Sequence, residues 1–214
     1  MRPTCLIWDW NGTLLDDVQL CLDLLNWLLQ KNGYPQRYDL RQYRQIFGFP
    51  IREYYRRAGF DFARHPYDAL AADYTARYNP ESAACALCPG AADVLAALKS
   101  AGVRQVILSA SEQNALQAQV EHFGIRPYFD RLLGQGDFYA HGKLAAGRAW
   151  AAAQRFDLGG AVLVGDSLHD AEVAAGLGAR CVLCAAGHQS RERLQTAGVP
   201  VIDTLAQLPA LLGL

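Results

Sequence analysis

Thr4-Cys5-Leu6-Ile7-Trp8-Asp9-Trp10-Asn11-Gly12-Thr13-Leu14-Leu15-Asp16-Asp17 is the stretch whose reading decides the fold. A short apolar run with β-favouring residues reads as a buried strand. It breaks at Asn11-Gly12, a turn signal, with Asp9 where strand gives way to turn. In an open parallel sheet, ligands bind at the carboxyl ends of the strands. An acid there is placed to be a nucleophile or a metal ligand. An Asp beside a turn also serves as an Asx-turn or helix cap, so the stretch needs partners elsewhere in the chain.

Working outward, the segment from Asp17 to Asn79 carries no strand pattern. Leu20, Leu24, Trp27 and Leu28 recur at helical spacing up to Asn32-Gly33. Further helices are expected over Tyr38–Phe47, Ile51–Ala58 and Pro66–Tyr78. From Pro89 onward strands and helices alternate. Strands are expected at Arg104–Ser109, Arg131–Gly134, Ala161–Gly165, Arg180–Cys184 and Val199–Ile202, with helices between them. Alternation of this kind argues for a parallel α/β sheet of Rossmann-like form. Its first strand precedes the helical block and its partners follow it. The core is therefore expected to be discontinuous, over residues 1–16 and 84–214, with residues 17–83 as an inserted all-helical cap.

The bulk numbers fit this reading. The chain has 214 residues, 51% hydrophobic and 19% charged, with a formal net charge of -1. That suits a globular protein with a sizeable core and gives no basic character that would point to nucleic acid. The apolar runs are too short to span a bilayer, and the N-terminal run is interrupted by Asp9, unlike a signal peptide. A cytoplasmic protein without membrane partners is expected. Six cysteines include Cys85-x-x-Cys88 and Cys181-x-x-Cys184. The distance between the pairs exceeds that of a zinc ribbon. In a strand, Cys181 and Cys184 point to opposite faces. Reduced core thiols are expected rather than a zinc site.

Four polar signals fall at or near strand ends: Asp9 with Asn11-Gly12-Thr13, Ser109, Lys143, and Gly165-Asp166-Ser167 with Asp170. Two carboxylates from separate strands can hold a hard divalent cation such as Mg²⁺, together with substrate phosphate oxygens. A hydroxyl, an ammonium and the backbone amides of Gly12, Thr13 and Ala110 can hold the rest of a phosphoryl group.

In order and spacing, these signals resemble the four motifs of the haloacid dehalogenase superfamily. The position of the helical block resembles that family's C1 cap. Within the family the chain is most similar to the phosphoglycolate-phosphatase-like branch, including Gly187-His188-Gln189-Ser190-Arg191. The resemblance implies Asp9 as nucleophile, forming an aspartyl-phosphate on a small phosphoester substrate. It implies Mg²⁺ held by Asp9, the Asn11 carbonyl and Asp166, with Asp170 in support. Ser109 and Lys143 would bind the phosphoryl group.

One position departs from the pattern. The family's phosphatases carry a second Asp, a general acid/base, where this chain has Asn11. An amide neither gives nor takes a proton, and losing that function costs about 10²–10⁴-fold in rate. Either the leaving group is good, or another residue supplies the proton; His65, His169 and the tyrosines of the helical block are the candidates. A metal-independent haloacid dehalogenase also lacks the second Asp but leaves Asp166 and Asp170 unexplained. A phosphonatase needs a cap lysine as Schiff base, and Lys31, the lysine of this block, is misplaced for it. A non-catalytic phosphate- and Mg²⁺-binding module is the remaining alternative. Arg52, Arg56 and Arg57 either grip a second anionic group or form a solvated helix face.

Overall fold

The computed structural model describes residues 3–136, 143–154 and 156–214. Among them, a six-stranded sheet is built from β1 (Cys5–Trp8), β4 (Arg104–Glu112), β5 (Arg131–Gln135), β6 (Ala161–Gly165), β7 (Arg180–Cys184) and β8 (Val201–Ile202). The order is β5-β4-β1-β6-β7-β8, and every pairing is parallel. β1 therefore lies in the middle, with β4 on one side and β6 on the other. That is the point where the strand order reverses and where such sheets bind ligands.

The two sheet faces read directly from strand alternation. Leu6, Trp8, Ile107, Val162, Val164 and Val182 pack one face, against α5 (Ala91–Ser100), α6 (Gln113–His122) and α10 (Leu208–Leu212). Cys5, Ile7, Val106, Leu108, Ala161 and Leu163 pack the other, against α7 (Lys143–Gln154), α8 (Leu168–Leu177) and α9 (Arg191–Gln195). Cys181 belongs to the second face and Cys184 to the first. All six cysteines are free thiols. Gln105 is a buried polar residue of the first layer, where it accepts from Trp8 Nε1 at 3.0 Å and donates to Leu95 O at 2.9 Å.

Between β1 and the later strands run α1 (Val18–Lys31), α2 (Leu40–Ile46), α3 (Ile51–Arg57) and α4 (Tyr67–Glu81). They share a separate cluster that includes Leu22, Leu25, Leu28, Tyr43, Tyr54, Tyr55 and Leu70. Arg52, Arg56 and Arg57 are exposed, so the buried face of α3 is Tyr54 and Tyr55. Arg52 and Arg56 lie over the ring of Phe62 at 5.2 and 5.4 Å.

A two-stranded antiparallel ribbon, β2 (Leu15–Asp16) with β3 (Ala86–Leu87), joins the two ends of the helical block. The sequence reading placed no strand there, because two-residue strands have no readable period. The loop after β7 holds the block from the other side. Arg44 donates to Gly187 O at 2.9 Å and Ala186 O at 2.6 Å. Arg193 Nη1 donates to Phe47 O at 2.7 Å. Among the described residues no helix is long and apolar enough to cross a membrane.

Candidate active site

Asp9 follows the last residue of β1, and its N–H donates to Val164 O of β6 at 2.8 Å. Strand register does the rest. Trp8 pairs with Ile107 and with Val164, so Ser109 and Asp166, just beyond those partners, come to the same sheet end. Asp166 follows Gly165, the last residue of β6, and Ser167 caps α8. Residues 165–170 thus place Asp166 and Asp170 on one short turn, and a carboxylate oxygen from each of Asp9, Asp166 and Asp170 gathers within 4.8 Å.

Lys143 begins α7 and is buried, with 4% of its side chain exposed. Its Nζ reaches Asp9 Oδ1 at 2.8 Å and Asp170 Oδ1 at 2.5 Å. The other Asp170 oxygen accepts from Ser167 Oγ at 2.7 Å and from the Asp166 and Ser167 N–H groups at 3.2 and 3.1 Å. Asp170 therefore fixes both the ammonium and the turn. A Cβ at Gly165 would collide with Asp170, and one at Gly187 with Asp166. Those two positions have room for hydrogen only.

Three carboxylates and one ammonium leave the pocket short of positive charge. Burial, then the Asp170 charge, pushes Asp9 up to about 6. Burial, with the charges of Asp9 and Asp170, pushes Asp166 up to about 8 against the pull of His188. Burial also weighs against an ionised Asp170, but Lys143 holds its carboxyl below the ordinary range. A buried acid raised by like charges is one that a cation would restore.

The loop from Trp10 to Asp17 carries the departure from the family pattern. Asn11 Nδ2 donates to Asp17 Oδ2 at 2.8 Å and to Tyr78 Oη of α4 at 2.6 Å. Asn11 Oδ1 accepts from Ser111 Oγ at 2.8 Å. Turning the amide over would aim its oxygen at the Asp17 carboxylate, so this orientation is the favourable one. Asp17 precedes α1 but makes no side-chain cap to it. It accepts instead from Gly12 N at 2.9 Å, Tyr78 Oη at 2.7 Å and His188 Nε2 at 3.2 Å.

His188 is buried, stacks on Phe47 at 4.6 Å, and meets Tyr43 Oη through Nδ1 at 2.8 Å. Burial opposes its charge, but Asp17, Asp166 and Asp9 together raise it to about 9. Asp17 in turn stays below the ordinary range despite burial, because His188 faces it.

The residues singled out at the strand ends lie in or beside this arrangement. Asp9, Lys143, Asp166 and Asp170 form one contact set. Thr13 Oγ1 donates to Asp166 Oδ1 at 3.4 Å. Ser109 is fully buried, and its Oγ accepts from Ser111 N at 3.0 Å. Ala110, the next residue, lines a cavity that opens towards the helical block. The Gly12 N–H is engaged by Leu15 O and Asp17, so donating to a phosphate requires it to exchange those partners.

His65 lies within the helical block against Tyr34 Oη at 2.9 Å, away from these carboxylates. His169 stacks on Phe49 at 4.7 Å. Asp17, Ser111 and the roles of Tyr78 and His188 were not read from the sequence. The Asp16-Asp17 doublet and the stretch Gly187–Arg191 were the available signals, and neither reveals a contact between residues 171 positions apart.

The comparisons with known proteins agree with the geometry. The haloacid dehalogenase-like hydrolase family matches residues 6–184. The chain is a member of that family. More particularly, it is 30% identical to the phosphoglycolate phosphatase of Caulobacter vibrioides, over 94% of this chain and 87% of that one. It is 29% identical to the tyrosine-protein kinase PtkA of Mycobacterium tuberculosis, over 98% of this chain and 71% of that one. A haloacid dehalogenase-like family hydrolase from Streptococcus pneumoniae has the same fold, with a TM-score of 0.84, 17% identity and 98% of both chains covered. The protein is thus a hydrolase of this family, similar to its phosphoglycolate phosphatases.

Proposed function

We propose that the protein is a Mg²⁺-dependent phosphatase that hydrolyses a small phosphorylated metabolite through an aspartyl-phosphate on Asp9. The observation that carries this reading is the buried set of Asp9, Asp166 and Asp170 with Lys143 wedged among them. Its donors are oxygens, and burial together with the neighbouring carboxylates raises Asp9 and Asp166, which fits a hard divalent cation. Asp9, Asp166 and the Asn11 carbonyl would hold Mg²⁺, with Asp170 supporting from the turn. Bound there, the cation supplies charge neutralisation of the phosphoryl oxygens.

The chain's own residues do the rest. Asp9 attacks phosphorus as a carboxylate, and Lys143 keeps it ionised and offsets its repulsion from the phosphate. The Ser109 hydroxyl and the Thr13 and Ala110 amides complete the phosphoryl cradle. Residues 17–83 form the cap, which keeps bulk water from the reacting atoms. Asn11 supplies no proton, so turnover is slow on leaving groups that need one. A haloacid dehalogenase leaves the Asp9–Asp166–Asp170 set without a task. The relation to a tyrosine-protein kinase supports a second reading: the phosphoryl group on Asp9 passes to a hydroxyl acceptor other than water.

The test is phosphate release from a panel of phosphoesters with Mg²⁺. Chelation by EDTA and the Asp9→Asn substitution each remove activity. Hydrolysis retained by the Asp9→Asn protein overturns the proposal.

A further inference from the structure

A cavity of about 220 Å³ opens from Asn11, Ala110 and Ser111 into the helical block. An enclosed space of roughly 150 Å³ is enough to hold a benzene ring. The walls are aromatic: Phe47, Phe49, Tyr54, Tyr55, Tyr74 and Tyr78. Among the described residues that line it, none is Arg or Lys. The charged side chains on the wall are Asp17, Glu112 and His188, and His188 is committed to Asp17 at 3.2 Å. The arginines of α3 lie on its exposed side. A substrate with a second anionic group, such as a carboxylate, therefore finds no cation here to receive it.

The second observation is independent. Both amide hydrogens of Asn11 are spent, on Asp17 and Tyr78. The position that gives the leaving oxygen its proton in related enzymes has neither an acid nor a free donor. A phenol has a pKa of about 10. Alkanols lie near water, at about 15.7. An aryl oxide thus departs without a proton, whereas an alkoxide does not.

We infer that the substrate of this site is an aryl phosphomonoester, its ring held among the cap aromatics and its phosphoryl group at Asp9. The inference rests on the phosphatase reading above and narrows its substrate class. Asp9 attacks phosphorus, the phosphorus–aryl-oxygen bond breaks, and its electron pair leaves on the phenolate, which later takes a proton from solvent. Water then attacks phosphorus, expels the Asp9 carboxylate, releases inorganic phosphate and gives its proton to solvent.

The experiment measures kcat/KM with Mg²⁺ for phenyl phosphate, benzyl phosphate, 2-phosphoglycolate and acetyl phosphate. Phenyl phosphate exceeds 2-phosphoglycolate by about 10²-fold or more, as expected where no general acid acts. Benzyl phosphate, with the same ring on an alkyl oxygen, inhibits phenyl phosphate competitively and turns over far more slowly. Thr75→Arg, which places a cation on the cavity wall, lowers the phenyl-to-phosphoglycolate ratio at least about tenfold, the scale of a modest pocket contact. A ratio at or below one in the unmodified protein overturns the inference, as do equal rates on phenyl and benzyl phosphate or an unmoved ratio in Thr75→Arg. Enzyme-dependent cleavage of acetyl phosphate with none of phenyl phosphate overturns it while leaving Asp9 chemistry standing. Failure on acetyl phosphate as well overturns both.

Discussion

The side-chain amide of Asn11 donates to the carboxylate of Asp17 at 2.8 Å, six residues along the same loop. The pair explains why an amide suits position 11 in this chain. An acid there would face an ionised, fully buried carboxylate that already has His188 as its counter-charge. The departure from the family pattern is therefore tied to Asp17.

Asn11→Asp alone is expected to lose stability and gain no activity, since it trades a charge-assisted hydrogen bond for like-charge contact. The cost is about 1.5–3 kcal/mol. Asn11→Asp with Asp17→Asn restores the complementarity with donor and acceptor exchanged. The double variant should gain about 10²-fold on alkyl phosphates, the usual contribution of a general acid, and recover only part of the lost stability, because Asp17→Asn removes the counter-charge that faces His188. Urea unfolding and phosphate release on glycerol 3-phosphate check both parts. A single variant as stable as the parent and faster than it contradicts the coupling.

Without metal, stability should fall as pH rises from 5 to 9. Asp9 at about 6 and Asp166 at about 8 are raised above their unfolded values, so the folded state binds the extra protons and loses that advantage through this window. His188, raised to about 9, stabilises fully below its unfolded value and loses its contribution as pH approaches 9. Asp17 and Asp170 are depressed and act in the opposite sense, but only below the ordinary carboxylate range. The expected change is on the order of a few kcal/mol, and saturating Mg²⁺ should remove most of the Asp9 and Asp166 part. Melting temperatures across this pH range, in EDTA and in Mg²⁺, measure it. A metal-free protein that grows more stable towards pH 9 rules the charge balance out.

The sheet and the acids at its strand ends were legible because both obey short-range rules. Alternation along β1, β4, β6 and β7 follows from burial on both faces, and Asp9 and Asp166 follow strands that end where the apolar runs end. The cavity was not legible. In α3, Arg52 and the Arg56-Arg57 pair flank the Tyr54-Tyr55 pair, and which face turns inward is settled by packing against the other helices of the block. Asp17 was hidden for a different reason. At the start of a helix an Asp is ordinarily a cap, and here its oxygens are drawn away by Gly12, Asn11, Tyr78 and His188.

The thiols should be unreactive in the folded protein. Cys85, the one that is not fully buried, is still pushed up to about 11, by burial and then by Asp17 and Asp16. Cys5 and Cys181 are both pushed up to about 12, chiefly by burial. Since the thiolate is the nucleophile, a disulfide reagent at pH 8 should titrate the native protein far more slowly than the urea-unfolded chain, in which six groups react. Rapid labelling of Cys85 in the native state disproves the shift.

Lys143 is the cation wedged among the three carboxylates. It bridges Asp9 and Asp170 at 2.8 and 2.5 Å with almost no solvent access. Burial disfavours its charge, but Asp170 and Asp9 outweigh that and hold it above the ordinary lysine range. Lys143→Met keeps the length and removes the charge, leaving two buried carboxylates facing one another. The expected loss is about 3–5 kcal/mol in EDTA, the cost of orphaning a buried charge. Part of that loss should return with Mg²⁺, because a divalent cation relieves the same repulsion, so Mg²⁺ should stabilise the variant more than the parent. Activity should fall by about 10²–10³-fold even with Mg²⁺ saturating, since the phosphoryl group then lacks its protein-borne positive partner. Thermal shifts on Mg²⁺ titration of both proteins read the stability part independently of turnover. An equal shift in the two proteins refutes the assignment of the cation to the Asp9–Asp166–Asp170 set.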